Sequence, residues 1–143
     1  MERDMKRAKT LLEQNEEYTC AACRAGREFV SAEHSVRPLM RWLNEGEELS
    51  GASVADRVVG KAAAFLYVLL GVRAVYAPLM SVPARDTLCA HGIEALSDTL
   101  VPAIRNRTDT GFCPMERAVW EFSDPHEAKA ALERKIFELM AKK

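Results

Sequence analysis

The stretch GASVADRVVGKAAAFLYVLLG, residues 51–71, decides how the chain folds, because it leads into the longest apolar run of the sequence. Ser53 and Asp56 stand three residues apart before this run, a spacing that resembles a helix capping box with Asp in place of Glu. Gly71 is a typical helix stop. The pattern predicts a helix from about residue 54 to Leu70, buried on nearly all sides in its second half.

The first half of this predicted helix carries a polar stripe on one face, formed by Ser53, Asp56, Arg57, Gly60 and Lys61. Glycine inside a helix costs about 0.5–1 kcal/mol relative to alanine, so a close neighbour is expected beside Gly60. Arg57 and Lys61 are like charges one turn apart, which favours an anion between them. The stripe therefore predicts the wall of an anion-binding pocket. The alternative is that Ser53 and Asp56 only cap the helix, another segment packs on Gly60, and the cations face solvent.

The flanking segments alternate between helix and strand patterns. In chain order they are a helix over 4–17, a hairpin of strands 18–23 and 28–32, a short helix near 39–43, a strand at 72–77, a helix over 83–90, a strand at 93–96, a loop over 97–112, a helix over 113–122 and a last amphipathic helix over 124–143. This order predicts an α/β fold with a mixed sheet, a hairpin edge and right-handed αβ crossovers.

Composition limits the function. The 143 residues suit a single domain, and 20 basic against 21 acidic side chains leave no extended surface for nucleic acid. We find no signal peptide and no apolar run long enough to cross a bilayer, so we expect a cytoplasmic protein without membrane contact. Cys20 and Cys23 would lie on opposite faces of a strand, and the histidines lack ligand spacing. We therefore expect neither a metal nor another cofactor.

A second candidate cluster surrounds Cys113. Pro114 suits the first position of a helix, which leaves Cys113 at the N-cap and Glu116 in the first turn. A thiol at a helix N-terminus can gain thiolate character, so Cys113 is a candidate nucleophile with Glu116 or Asp56 as its base. The alternative is that Cys113 is a small buried residue and Glu116 a capping carboxylate.

Several motifs together resemble a known family: residues 51–64, 71–76, Val101-Pro102, Asn106-Arg107 and 113–116. The chain is similar, over 18–121, to small prokaryotic domains of unknown function with a cytidine-deaminase-like fold, a three-layer sandwich. The segments 1–17 and 124–143 would add a helix at each end. Zinc deaminases of this fold carry H-x-E or C-x-E at the start of the helix after the hairpin, and P-C-x-x-C at the start of the next crossover helix.

The resemblance implies that this zinc chemistry is lost while the cleft persists. We assign the two motif positions to residues 53–56 and 77–81, which contain neither Cys nor His. Hydrolytic deamination is therefore not expected. The resemblance places Asp56, Arg57, Lys61 and Ser81 near one another, with the 106–116 loop above them.

The leading hypothesis is a deaminase-like domain without a metal that binds a small anionic ligand, such as a nucleotide or an ADP-ribose-like phosphate. Arg57, Lys61 and Arg107 would contact the anion, and Asp56 and Asn106 would orient its polar groups. Ser53 and Ser81 complete the predicted site, and Gly60 would permit close approach.

Two alternatives of other classes remain. One is a zinc-independent enzyme with Cys113 as nucleophile. The other is an interaction module without catalysis, in which the terminal amphipathic helices form the surface of a homodimer.

Overall fold

The computed structural model describes residues 2–33, 36–104 and 113–141. Twelve elements are assigned within these ranges. The helices are α1 (Glu2–Gln14), α2 (Arg37–Glu45), α3 (Lys61–Leu70), α4 (Val82–Ala90), α5 (Pro114–Val119) and α6 (Pro125–Ala141). The strands are β1 (Cys20–Arg24), β2 (Arg27–Ser31), β3 (Ser53–Asp56), β4 (Val58–Val59), β5 (Ala74–Ser81) and β6 (Glu94–Val101).

The six described strands form one mixed sheet. β1 and β2 pair antiparallel through the turn Ala25-Gly26, where both residues have positive φ, the geometry of a tight hairpin turn. β1 also pairs antiparallel with β3, whereas β3, β4 and β6 all run parallel to β5. The predicted hairpin edge and the αβ crossovers are therefore confirmed.

Helices cover both faces of the sheet. On one face α1 packs Ala8 and Leu12 against Cys23 and Ala55. On the other face a larger core joins Val54 of β3 to residues of α2, α3, α4, α5 and α6. Neighbouring residues of β3 thus point into different cores, as strand geometry requires. The result is the predicted three-layer α/β sandwich, with a mixed sheet between two helical layers.

The predicted helix from 54 to 70 is wrong in its first half. Residues 53–56 form β3, which is buried along its whole length and paired on both sides, and Val58 and Val59 continue beside β5 in the same register. A strand buried on both faces has a continuous apolar run, so it does not show the alternation that separates strand from helix in a sequence. Ser53 and Asp56 consequently form no capping box, and Gly60 is the N-cap of α3 rather than an interior residue.

The ends of β5, β6 and α5 also differ from the prediction. β5 extends to Ser81, and β6 continues to Val101 where a loop was predicted from residue 97. The loop was predicted from Pro102, Asn106, Asp109 and Gly111, all of which follow Val101 in the sequence. Strand β6 has polar, largely exposed positions, and its backbone is satisfied by pairing with β5. Helix α5 ends at Val119, three residues before the predicted end.

The apolar face of α1 is used within the chain, because Met5, Ala8 and Leu12 are buried. Helix α6 buries Leu132 and leaves Phe137 and Met140 exposed. Helix α1 therefore cannot offer this apolar face to a second copy of the chain, as the predicted homodimer surface required. Dimerisation through α6 stays a prediction. Among the described residues, no helix has the length and apolar character needed to cross a bilayer.

Candidate functional site

A cleft of about 990 Å³ opens where β3 ends and α3 begins. Its walls come from the segment after α1, from α2, from the β3–α3 junction, and from α5 and α6. The described lining residues are Glu16, Glu17, Thr19, Ala32, Val36, Arg37, Asp56, Arg57, Val58, Gly60, Ala62, Ala63, Ile104, Cys113, Pro114, Met115, Glu116, Ile136 and Leu139. Five of the ten predicted site residues, from distant parts of the chain, therefore share one cavity.

Asp56 places a buried carboxyl group in the cleft wall. Its side chain lies at the end of β3, and only 8% of the residue is exposed. The Tyr67 hydroxyl donates to Asp56 Oδ2 at 2.6 Å, and the Val58 amide lies 3.4 Å from Oδ1. Burial raises the pKa of Asp56 to about 6, although these donors lower it in part.

A buried chain of hydrogen bonds continues behind Asp56. The Cys20 Sγ atom lies 3.2 Å from the Tyr67 hydroxyl oxygen, and both residues are fully enclosed. Because the phenol proton is donated to Asp56, the thiol donates to the phenol oxygen. Tyr67 was not among the predicted site residues. Its hydroxyl, which stands alone in the apolar run 62–70, was the feature that could have revealed a buried polar contact.

Glu116 holds the first turn of α3 from across the cleft. Its two carboxylate oxygens accept the backbone N–H groups of Lys61 and Ala62, each at 2.8 Å. Burial raises the pKa of Glu116, and the two N–H groups act in the opposite direction. A Cβ atom on Gly60 would overlap this carboxylate. The structure thus favours the interpretation in which Gly60 admits another segment, and Glu116 caps α3 rather than its own helix.

The two cations of the predicted stripe do not share a helix face, which corrects that part of the prediction. Arg57 lies between β3 and β4, and its guanidinium donates to the carbonyls of Leu12, Asn15 and Tyr18 at 2.9, 3.1 and 2.7 Å. The Lys61 Nζ atom donates to the Trp120 carbonyl at 2.6 Å. Both side chains therefore donate to main-chain carbonyls, and their contact with an anion stays a prediction.

Replacing Arg57 with Met should lower the free energy of unfolding by about 2 kcal/mol, because three carbonyls that follow or end α1 lose charged donors. Arg57→Lys should recover less than half of this, since one ammonium group cannot reproduce the planar fork. Denaturant unfolding measures both variants, with Arg73→Met at an exposed position as the control. Equal stabilities for Arg57→Met and Arg73→Met would contradict this role.

Of the remaining predicted site residues, some line the cleft and others do not. Ser53 is buried in β3 and Ser81 caps α4 by accepting the Ala84 amide at 3.1 Å; neither lines the cleft. Cys113 is half-buried, lines the cleft and precedes α5. Asn106 and Arg107 lie outside the described residues.

The catalytic assignment of Cys113 and Glu116 stays a prediction. Both residues line the cleft, but both carboxylate oxygens of Glu116 already accept backbone N–H groups. A general base must reach the proton that it abstracts, and these bonds compete with that task.

The observed order of helices and strands places the two zinc-deaminase motif positions at other residues than predicted. The helix after the hairpin is α2 and the next crossover helix is α3, so the assignment to residues 53–56 and 77–81 is wrong. Residues 56–61 lead into α3 without Cys or His, and 34–35 before α2 lie outside the described part. No three His, Cys, Asp or Glu residues of the described ranges cluster as metal ligands, so the residues described there do not fit a zinc site.

Comparison with known proteins places the chain in a family. The family model TM1506, Domain of unknown function (DUF1893), matches residues 7–136. The chain belongs to the DUF1893 family. This confirms the expected membership in a family of unknown function. A comparison with curated proteins gave no match.

A solved structure of a DUF1893 family protein has the same fold as this chain. The crystal structure of TM1506 from Thermotoga maritima is 24% identical, with a TM-score of 0.85, over 94% of this chain and 91% of that one. A dCMP deaminase from the cyanophage S-TIM5 is 15% identical with a TM-score of 0.47, over 67% and 94% of the two chains. A diaminohydroxyphosphoribosylaminopyrimidine deaminase/reductase from Thermotoga maritima is 16% identical with a TM-score of 0.44, over 99% and 41%.

Proposed function

We propose that this DUF1893 chain binds a small organic molecule in the cleft between α2, α3, α5 and α6. The observation that carries the proposal is a concavity of about 990 Å³ with a buried carboxyl group, Asp56, in its wall. Binding sites for small molecules are typically concave, largely apolar, and equipped with a few polar groups that fix orientation.

Apolar side chains form much of the cleft wall. Val58, Ala63, Met115, Ile136 and Leu139 line the cleft from four different elements. Val58 and Leu139 remain partly accessible, at 42% and 37%, although both are apolar. A ligand that covers such side chains gains about 25 cal/mol for each Å² of apolar surface removed from water.

Support for an anionic ligand is weaker than the sequence suggested. Three guanidinium hydrogen bonds of Arg57 and the ammonium of Lys61 are directed to carbonyls. We therefore propose a small molecule as the ligand, without a phosphate as its defining group. The contribution predicted for Asn106 and Arg107 stays a prediction.

A titration with small ring compounds tests the proposal. Cytosine, adenine, indole and benzamide are added at millimolar concentration to ¹⁵N-labelled protein, and we expect the amide resonances of cleft residues such as Val58 and Met115 to shift. Val58→Trp should fill the mouth of the cleft and weaken binding by about tenfold, close to 1.4 kcal/mol.

The matched control is Val30→Trp, because Val30 is also a strand valine of similar exposure, at 38%, and does not line the cleft. Shifts that map elsewhere, no shift with any compound, or equal weakening by the two Trp variants would each overturn the proposal.

A further inference from the structure

We infer that the cleft selects a cation or another strong N–H donor, such as an amidine, which donates to the carboxylate of Asp56 held in place by Tyr67. The inference rests on the proposed function and adds the chemical class of the ligand. It also assigns Tyr67 a positioning role, since this side chain acts through Asp56.

The two carboxylate oxygens of Asp56 differ in the hydrogen bonds that they accept. Oδ2 accepts the short bond from Tyr67, whereas the Val58 amide at 3.4 Å from Oδ1 exceeds the usual range for an N–H···O bond. An ionised carboxylate offers about four lone-pair sites, so Asp56 keeps acceptor capacity. Because Asp56 lines the cleft, a donor on a bound ligand is the group that can use it.

Tyr67 limits how the carboxyl group can turn. The phenol ring is fully buried in α3, and its oxygen lies between Asp56 and the Cys20 thiol. With the thiol as donor on one side, the phenol proton points to Asp56 on the other. A carboxyl group that already accepts one hydrogen bond is favoured in its charged form, which is the form that attracts a cation.

The charges around Asp56 favour the same class of ligand. Next along the chain is Arg57, whose guanidinium donates to carbonyls, although its charge and its backbone N–H also lower the pKa of Asp56. Helix α3 contributes Tyr67, and β1 contributes Cys20. The other charged residues described in the cleft wall are Glu16, Glu17, Arg37 and Glu116. The described wall therefore contains four acidic side chains and two arginines. In a partly desolvated cleft this balance attracts a cation and repels an anion.

Three probes with one ring test the charge preference: benzamidine as a cation, benzamide as a neutral molecule and benzoate as an anion. Dissociation constants are measured by calorimetry at pH 7.5, and amide shifts locate the site. We expect benzamidine to bind at least tenfold more tightly than benzoate. Asp56→Asn should reduce the affinity for benzamidine about tenfold and leave that for benzamide nearly unchanged.

The pH dependence of benzamidine binding tests the role of Tyr67. Affinity should rise with pH as Asp56 ionises, with a midpoint near its pKa of about 6. Tyr67→Phe removes a donor that stabilises the carboxylate, so the midpoint should move to higher pH. The control is Glu94→Gln, because Glu94 is an exposed carboxylate that does not line the cleft, and this variant should leave the midpoint in place.

Different experimental results would overturn the proposed function, the charge preference and the role of Tyr67. No binding of any probe in the cleft would overturn the proposed function. Tighter binding of benzoate than of benzamidine in the cleft would overturn this inference and leave the proposed function standing. An unchanged midpoint in folded Tyr67→Phe would overturn the positioning role. The comparison of the three probes uses the wild-type chain, so it holds even where a variant fails to fold.

Discussion

Replacing Gly60 with Ala is expected to lower the free energy of unfolding by about 2–3 kcal/mol, a large effect for one methyl group. The backbone does not cause it, because Gly60 has φ −104° and ψ −177°, which alanine adopts freely. The cost comes from the Glu116 carboxylate, which occupies the space of a Cβ atom. The methyl group displaces this carboxylate, and the first turn of α3 loses its acceptors at the Lys61 and Ala62 amides.

A double-mutant cycle separates this overlap from other effects of the methyl group. In a Glu116→Ala background the obstacle is absent, so Gly60→Ala should cost less than about 1 kcal/mol. Denaturant unfolding of the wild type, both single variants and the double variant gives the coupling. If Gly60→Ala costs the same in both backgrounds, the carboxylate is not what requires glycine at this position.

The stability of the protein should fall as Asp56 ionises. In the unfolded chain Asp56 has its ordinary pKa of 3.8, and in the folded protein burial raises the pKa to about 6. Between these values the folded state binds the proton more tightly than the unfolded state does. The free energy of unfolding therefore decreases as the pH rises through this window, and the contribution of Asp56 is constant above it. The shift corresponds to about 3 kcal/mol.

The difference between wild type and Asp56→Asn isolates this contribution. Unfolding free energies are measured from pH 4 to pH 7.5, and the advantage of wild type over Asp56→Asn should decline across the window. Glu116 has a raised pKa and acts in the same direction, so Glu116→Gln is measured in parallel. A wild-type advantage that stays flat with pH would mean that Asp56 has an ordinary pKa and is not desolvated as described.

Local patterns predicted much of the fold. The hairpin, the helix that Gly46 ends, and the final amphipathic helix all depend on neighbours close in sequence, and the structure contains them. The prediction failed at residues 53–59, where strands lie in the middle of a sheet. The burial of β3 on both faces is a tertiary property, and its sequence pattern is the same as that of a buried helix.

Part of the candidate site was predicted from the sequence. The structure brings these residues together for other reasons than the local spacing from which they were chosen. Asp56, Gly60 and Glu116 were singled out from local spacing, and they line one cleft. The partners that define their roles are distant in sequence: Glu116 lies 55 residues from Lys61, and Arg57 lies 45 residues from Leu12. Such contacts depend on the crossover topology, which spacing along the chain does not contain.

A crystal structure of the protein soaked with benzamidine tests the central claim, that Asp56 in this cleft accepts a donor from a small molecule. We predict the ring against Val58 and Met115, with an amidine nitrogen about 2.7–2.9 Å from an Asp56 oxygen. A ring bound outside the cleft, or an amidine group turned away from Asp56, would contradict it.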